Sequence, residues 1–245
     1  MTKSHAYTRN PRVLVALVTL GAIVLEIAMS GPSPATAAST GPVFNNPTLI
    51  NNPYLPLSSL TTPAVMAGDQ EEDGVEVHVR SVRMIVTSTR TFRVNGRTVT
   101  PLTVEDRVVH NDVLHEVALD YFAQADGGTV YYLGEDVANY DANGEYVSNE
   151  GTFLYGVDTK TLGVAMPANP QPGDRFAIEK IPGQGSETNR VITRTAVVTV
   201  AAGTYTNVLR IDGLVKPGNE SETKWYAPGV GVIKEADPSG FIALQ

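Results

Sequence analysis

From Val75 onward apolar and polar residues alternate with a period of two. Val75, Val77 and Val79 alternate with Glu76, His78 and Arg80, and Val82, Met84 and Val86 then continue on even numbers. A bulge near Arg80-Ser81 would keep one face apolar through that change of parity. Asn95-Gly96, between Phe92-Arg93-Val94 and Arg97-Thr98-Val99, predicts a tight hairpin, because both residues tolerate the positive φ such a turn needs. Asp126-Gly127-Gly128 and Asn143-Gly144 punctuate the segments that follow. Further strands are expected at Arg175–Ile181, Arg190–Val200, Asn207–Val215, Ser221–Ala227 and Gly231–Glu235. No window carries the apolar spacing of a three-turn helix; Thr204–Val208 offers a single short turn. The pattern predicts a mostly β protein with little helix, an antiparallel meander forming a curled sheet or barrel.

One hairpin can be read residue by residue. With Asn111-Asp112 as a two-residue turn, Leu102–His110 pairs with Val113–Tyr121, so that His110 faces Val113, Val108 faces His115 and Arg107 faces Glu116. One face then carries Leu102, Val104, Val108, Val113, Val117, Leu119 and Tyr121, and the other Thr103, Glu105, Arg107, Glu116 and Asp120. This register puts Asp106, His110 and His115 together on the apolar face, with Asp106 and His115 as diagonal neighbours.

Ahead of the strands, residues 39–73 read as a flexible linker. They hold Asn45-Asn46-Pro47, Asn51-Asn52-Pro53, Pro56 and Pro63, then the acidic run Asp69 to Asp73. Such spacing favours extended or turning backbone, although Tyr54, Leu55 and Leu57 could dock on the domain. Residues 74–245 are expected to form a single β-rich domain. Residues 1–38 read as a secretory signal: Arg9 and Arg12, an apolar run from Val13 to Met29, then Ala35-Thr36-Ala37-Ala38. A retained N-terminal anchor is the rival, since the run is barely long enough to span a bilayer. The mature protein is thus expected to be secreted or extracytoplasmic, with no stable membrane insertion once the signal is cleaved.

Charge and cysteine narrow the partners. Removing the first 38 residues, which carry Lys3, Arg9, Arg12 and Glu26, takes 18 basic and 26 acidic residues to 15 and 25, a net charge of −10. That disfavours nucleic acid and anionic membrane surfaces. The chain has no cysteine, which removes disulfides, thiolate ligands and lipid attachment at a processed cysteine.

Two constellations are candidates for chemistry. In the first, Asp106 beside His110 and His115 could orient an imidazole as a general base or a metal ligand; the alternative is a satisfied structural pair. In the second, Asp136, Asp141, Asn143 and Glu145 could supply oxygen ligands to a weak calcium site, but Asp-x-Asn-Gly is also ordinary turn chemistry, and the twelve-residue calcium loop fails at Thr152. No nucleophile elbow, phosphate loop or zinc-protease signature is present, so no catalytic residue is assigned and no cofactor is expected.

Several segments resemble a family of uncharacterised bacterial secreted proteins and lipoproteins. They are Asn52-Pro53-Tyr54-Leu55-Pro56-Leu57, Tyr131 to Asp136, Gly151-Thr152-Phe153 with Gly156-Val157-Asp158, Met166 to Pro170, and the closing Trp225-Tyr226-Ala227-Pro228-Gly229-Val230-Gly231-Val232-Ile233-Lys234-Glu235. The chain departs from that pattern at Ser58–Ala64, where the family carries a Trp- or Tyr-bearing strand, and in lacking the lipidated cysteine. The resemblance implies export and a single β-rich domain, and carries no activity.

The expected function is an exported, non-catalytic binding or structural module of the cell envelope or medium. Its concave face could hold an apolar small molecule or lipid. The alternatives are a cation-dependent surface-binding module at the 134–145 loop and a hydrolase-like enzyme built on the Asp106–His115 pair.

Overall fold

The computed structural model describes residues 41–245; the signal or anchor expected over residues 1–38 lies outside them. Nearly all the regular structure is antiparallel β. The strands in chain order are β1 (Ala64–Glu72), β2 (Val75–Val86), β3 (Phe92–Val94), β4 (Arg97–Val99), β5 (Leu102–His110), β6 (Val113–Gln124), β7 (Val130–Tyr140), β8 (Tyr146–Ser148), β9 (Phe153–Leu154), β10 (Gly163–Met166), β11 (Arg175–Ile181), β12 (Gly185–Val200), β13 (Gly203–Lys216), β14 (Glu220–Ala227), β15 (Gly231–Asp237) and β16 (Gly240–Leu244). The helical content of the described residues is one 3-10 turn at Leu57–Ser59.

The local turn chemistry acts as its residues predict. Asn95 and Gly96 hold φ of 50° and 76°, and Asn111 and Asp112 hold 48° and 66°. Both central residues of each hairpin are therefore left-handed, matching the twist of the strands they join.

One sheet runs β10-β7-β6-β5-β2-β1-β16-β15-β14-β13-β12-β11, with β8 and β9 attached to β7. It curls until its two ends lie side by side, but no hydrogen-bonded ladder joins β10 to β11, so it is a curled sheet and not a closed barrel. The approach at this seam is close. A Cβ added at Gly163 would lie 1.9 Å from the Ile178 carbonyl oxygen, and the Thr159 hydroxyl donates to the Lys180 carbonyl at 2.6 Å. The short β3–β4 hairpin folds over the convex side, where Phe92, Val94 and Val99 pack on Tyr121, Ala123 and Leu133.

The stretch expected to be a linker is part of this domain. β1 lies between β2 and β16, well inside the sheet. Upstream of it, Ile50, Tyr54 and Leu55 are buried in the largest core cluster, with Leu102, Val104, Tyr132, Met166, Val191, Leu209, Ile211 and Tyr226. Asn-Asn-Pro does specific work here. The Asn52 side chain, 2% exposed, donates at 3.0 Å to the carbonyls of Gly128 and Pro167, and Gln124 Oε1 accepts from the amides of Asn51 and Asn52. Proline and asparagine rule out helix at this point, but they do not rule out a docked, fully bonded loop.

The opening and closing motifs meet in this region. The Gly229 amide donates to the Pro53 carbonyl at 2.8 Å, and Tyr54 and Tyr226 share one core.

Candidate functional site

Two features of the strand pattern decide what the concave side contains. In β2 the pleat runs without a bulge: the ladders to β1 and β5 keep a single register across Arg80 and Ser81. Ser81 and Arg83 therefore follow Val77 and Val79 onto the concave face. In β6 a bulge does occur, between the pairs Val108↔Glu116 and Val109↔Leu114. His110 faces Val113 as expected, but the extra residue moves every later partner by one. Asp106 faces Ala118, Arg107 faces Val117 and Val104 faces Asp120. Glu116 and Asp120, expected on the polar outer face, thus join Val104, Asp106 and Val108 on the concave one.

The concave side consequently carries a layer of ionisable groups between two apolar clusters. Arg83 is its best-connected member. Its Nε donates to Asp106 Oδ2 at 2.8 Å and its Nη1 to Glu235 Oε1 at 2.9 Å, and Ser81 Oγ donates to Asp106 Oδ1 at 2.6 Å. Burial alone would lower the guanidinium's pKa, but the two carboxylates outweigh it and hold the charge firmly. Lys224 lies 3.0 Å from Glu222; burial again opposes its charge, and Glu222, Glu187 and Glu235 restore it. Desolvation raises the Glu222 carboxyl to about 7.

Toward the seam the layer is purely acidic. Asp120 on β6 faces Glu135 on β7, and Glu179 on β11 faces Glu187 on β12. Tyr132 donates its hydroxyl to Asp120 at 2.6 Å. Desolvation raises Asp120 to about 6 and Glu179 to about 7, and pushes Glu135 well up. Gly213 makes room for this row: a Cβ there would lie 2.9 Å from Asn189 Oδ1 and 3.3 Å from Glu187 Oε1.

The predicted polar cluster is divided by the bulge. Asp106 bonds to Ser81 and Arg83 in the interior. His110 and His115 do come together, their rings parallel with centroids 3.9 Å apart, and His110 Nδ1 lies 3.2 Å from Glu72 Oε1. The diagonal Asp106–His115 geometry that a general base would need depends on the unbulged register, and that register does not form.

The calcium candidates also have other partners. Asp136 lies on the convex side, bound by the guanidinium of Arg90 and by the Tyr121 hydroxyl. Burial pushes its carboxyl up, but these bonds outweigh that and hold it below the usual range. Asp141 Oδ1 accepts from the amides of Asn143 and Glu145 at 2.8 and 3.0 Å, which is turn chemistry. Among the described residues no three His, Asp or Glu side chains are grouped as metal ligands.

Sequence reasoning missed Ser81, Arg83, Asp120, Glu135, Glu179, Glu187, Glu222, Lys224 and Glu235. The signal for several of them was a lone charge inside an apolar strand, such as Asp120 between Leu119 and Tyr121, or Lys224 ahead of Trp225-Tyr226. Comparison with family models, curated proteins and solved structures finds no match to this chain.

Proposed function

We propose that the chain is an exported, non-catalytic module of the cell envelope or medium, in which the curled sheet serves as a binding or structural scaffold. The observation that carries this reading is the double engagement of Arg83 with Asp106 and Glu235. It ties β2, β5 and β15 together across the concave side, so polar groups that could have served a reaction instead hold the wall. A general base needs an oxygen or nitrogen open to substrate, and both oxygens of Asp106 accept hydrogen bonds from within the protein. Phe122, Phe176 and Ile178, only partly buried beside the main core, supply the apolar surface on which an apolar small molecule or lipid would sit.

Native mass spectrometry of protein recovered from culture medium tests the reading. A mass equal to the chain cut near residue 38, alone or with an apolar adduct, supports it. Turnover of an ester, peptide or glycoside panel that disappears in Asp106→Asn would overturn it. Protein found only in membranes with Met1 intact would overturn the exported state.

A further inference from the structure

The long β12–β13 hairpin folds back over the convex side of the sheet. Val198 and Tyr205, one from each arm, pack against the cluster of Val208, Ala227 and Ile233, and at the tip the Ala202 amide donates to the Leu244 carbonyl at 3.2 Å. Between this tip and the sheet lies a cleft of about 340 Å³.

Pairing across the strands fixes what the cleft contains. Ala67 of β1 faces Ala243 of β16, Ala243 faces Lys234 of β15, and Lys234 faces Trp225 of β14. Side chains directly opposite one another share a face, and this face is turned away from the one that carries Arg83 and Glu235. Two adjacent alanines keep the floor low where larger side chains would fill it. Thr199, Val200 and Ala201 of the hairpin form the facing wall, and Phe241, 46% exposed, stands beside them.

Lys234 is the cation at this cleft. Its Nζ lies 4.1 Å from the centroid of the Phe241 ring and 5.4 Å from that of Trp225. The two rings attract the ammonium, and among the described residues no carboxylate lies within ion-pair distance of it. The charges nearby are committed: Arg210, also over Trp225, holds Asp212, and Asp69 of β1 holds His78 at 2.8 Å. We propose that the cleft binds a monocarboxylic acid with a short apolar body, its carboxylate on Lys234 and its chain along Ala67, Ala243 and Val200 beside Phe241. The volume falls at the lower end of small-molecule sites, roughly 300–1,000 Å³, and suits an acid the size of octanoate. This site lies on the opposite side of the sheet from the apolar surface of Phe122, Phe176 and Ile178, so the two are tested separately.

An NMR titration of the ¹⁵N-labelled full chain with octanoate tests the site. The amides of Ala67, Val200, Ala201 and Ala243 should move saturably, with a Kd below about 1 mM, well within reach of a ligand of that size. Octan-1-ol and octylamine should bind at least about tenfold more weakly, the usual loss when a charge-assisted hydrogen bond is missing. Lys234→Met should weaken octanoate by the same factor and leave the alcohol unchanged. Ala67→Leu keeps the cation but fills the floor; it should abolish octanoate binding, and it decides the matter if Lys234→Met does not fold. Absence of saturation, equal affinity for acid and alcohol, or unchanged octanoate binding in the variant that folds would overturn the proposal. Shifts confined to Phe122, Phe176 and Ile178 would also overturn it, while leaving the concave-side reading in place.

Discussion

Arg83 reaches from β2 to Asp106 on β5 with a 2.8 Å bond, and both groups sit on the concave side of the sheet, with side chains only 20% and 12% exposed. The same guanidinium binds Glu235. Removing the cation strips two desolvated carboxylates of the guanidinium that bridges them, and breaking a buried pair in this way typically costs about 3–5 kcal/mol. Arg83→Met should therefore lower the unfolding free energy in urea by about that amount. Replacing Arg83, Asp106 and Glu235 together by Met, Leu and Leu should recover most of the loss, because no charge is then stranded. A loss below about 1 kcal/mol in Arg83→Met would show that the bridge does not hold the wall.

The interior carboxyls set the pH dependence of the whole fold. Asp120 at about 6, and Glu179 and Glu222 at about 7, lie above the usual carboxylate range because burial disfavours their charge. The native state then binds more protons than the unfolded chain between about pH 4 and 7, and stability falls as pH rises through that window. Asp136 acts in the opposite sense. Held low by Arg90 and Tyr121 against its burial, it contributes stability above the unfolded pKa and loses it as pH falls through its folded one. Melting temperature should peak near pH 4–5 and decline toward pH 8, and Glu179→Gln should flatten the upper limb.

Gly163 is confined by the seam. A methyl group there would meet the Ile178 carbonyl oxygen at 1.9 Å, and the backbone on both sides must shift to admit it. Gly163→Ala should cost about 1–3 kcal/mol, the usual range for overpacking. Hydrogen exchange should place the damage in β10 and β11, with the β1–β2 pair unaffected.

Asn52 joins the loop after β6 to the loop after β10. Its truncation to Ala leaves the Gly128 and Pro167 carbonyls without their donor. A buried group left unsatisfied costs about 1–3 kcal/mol, so Asn52→Ala should shift the urea midpoint clearly. Asn51→Ala should shift it less, because the exposed Asn51 side chain bonds to Gln124 alone.

Asp141 is occupied in its own turn and Asp136 by Arg90. Millimolar calcium should therefore move the melting temperature little. A rise of several degrees that vanishes in Asp141→Ala would mean that the folded state binds the ion far better than the unfolded chain.

Local chemistry in the sequence determined the strands between Val75 and Tyr121 and between Arg175 and Glu235, their antiparallel order between near neighbours and the two left-handed hairpin turns. Each depends on residues within a few positions of one another: alternation for a strand, Asn-Gly or Asn-Asp for a turn. The tertiary structure decided which face of each strand turns inward. Alternation divides a strand into two faces without labelling them, and hydrophobicity is a poor label where the concave side is itself polar at mid-height. The pattern therefore suggested a bulge at Arg80-Ser81 that does not form, and it gave no sign of the one at His115. That single inserted residue moved Glu116 and Asp120 inward and parted Asp106 from the histidines. The 39–73 stretch carries the same lesson. Its prolines and asparagines exclude helix by local sterics, but only the burial of Ile50 and Tyr54 against strands distant in sequence, and the pairing of β1 with β16 at the far end of the chain, make it part of the fold.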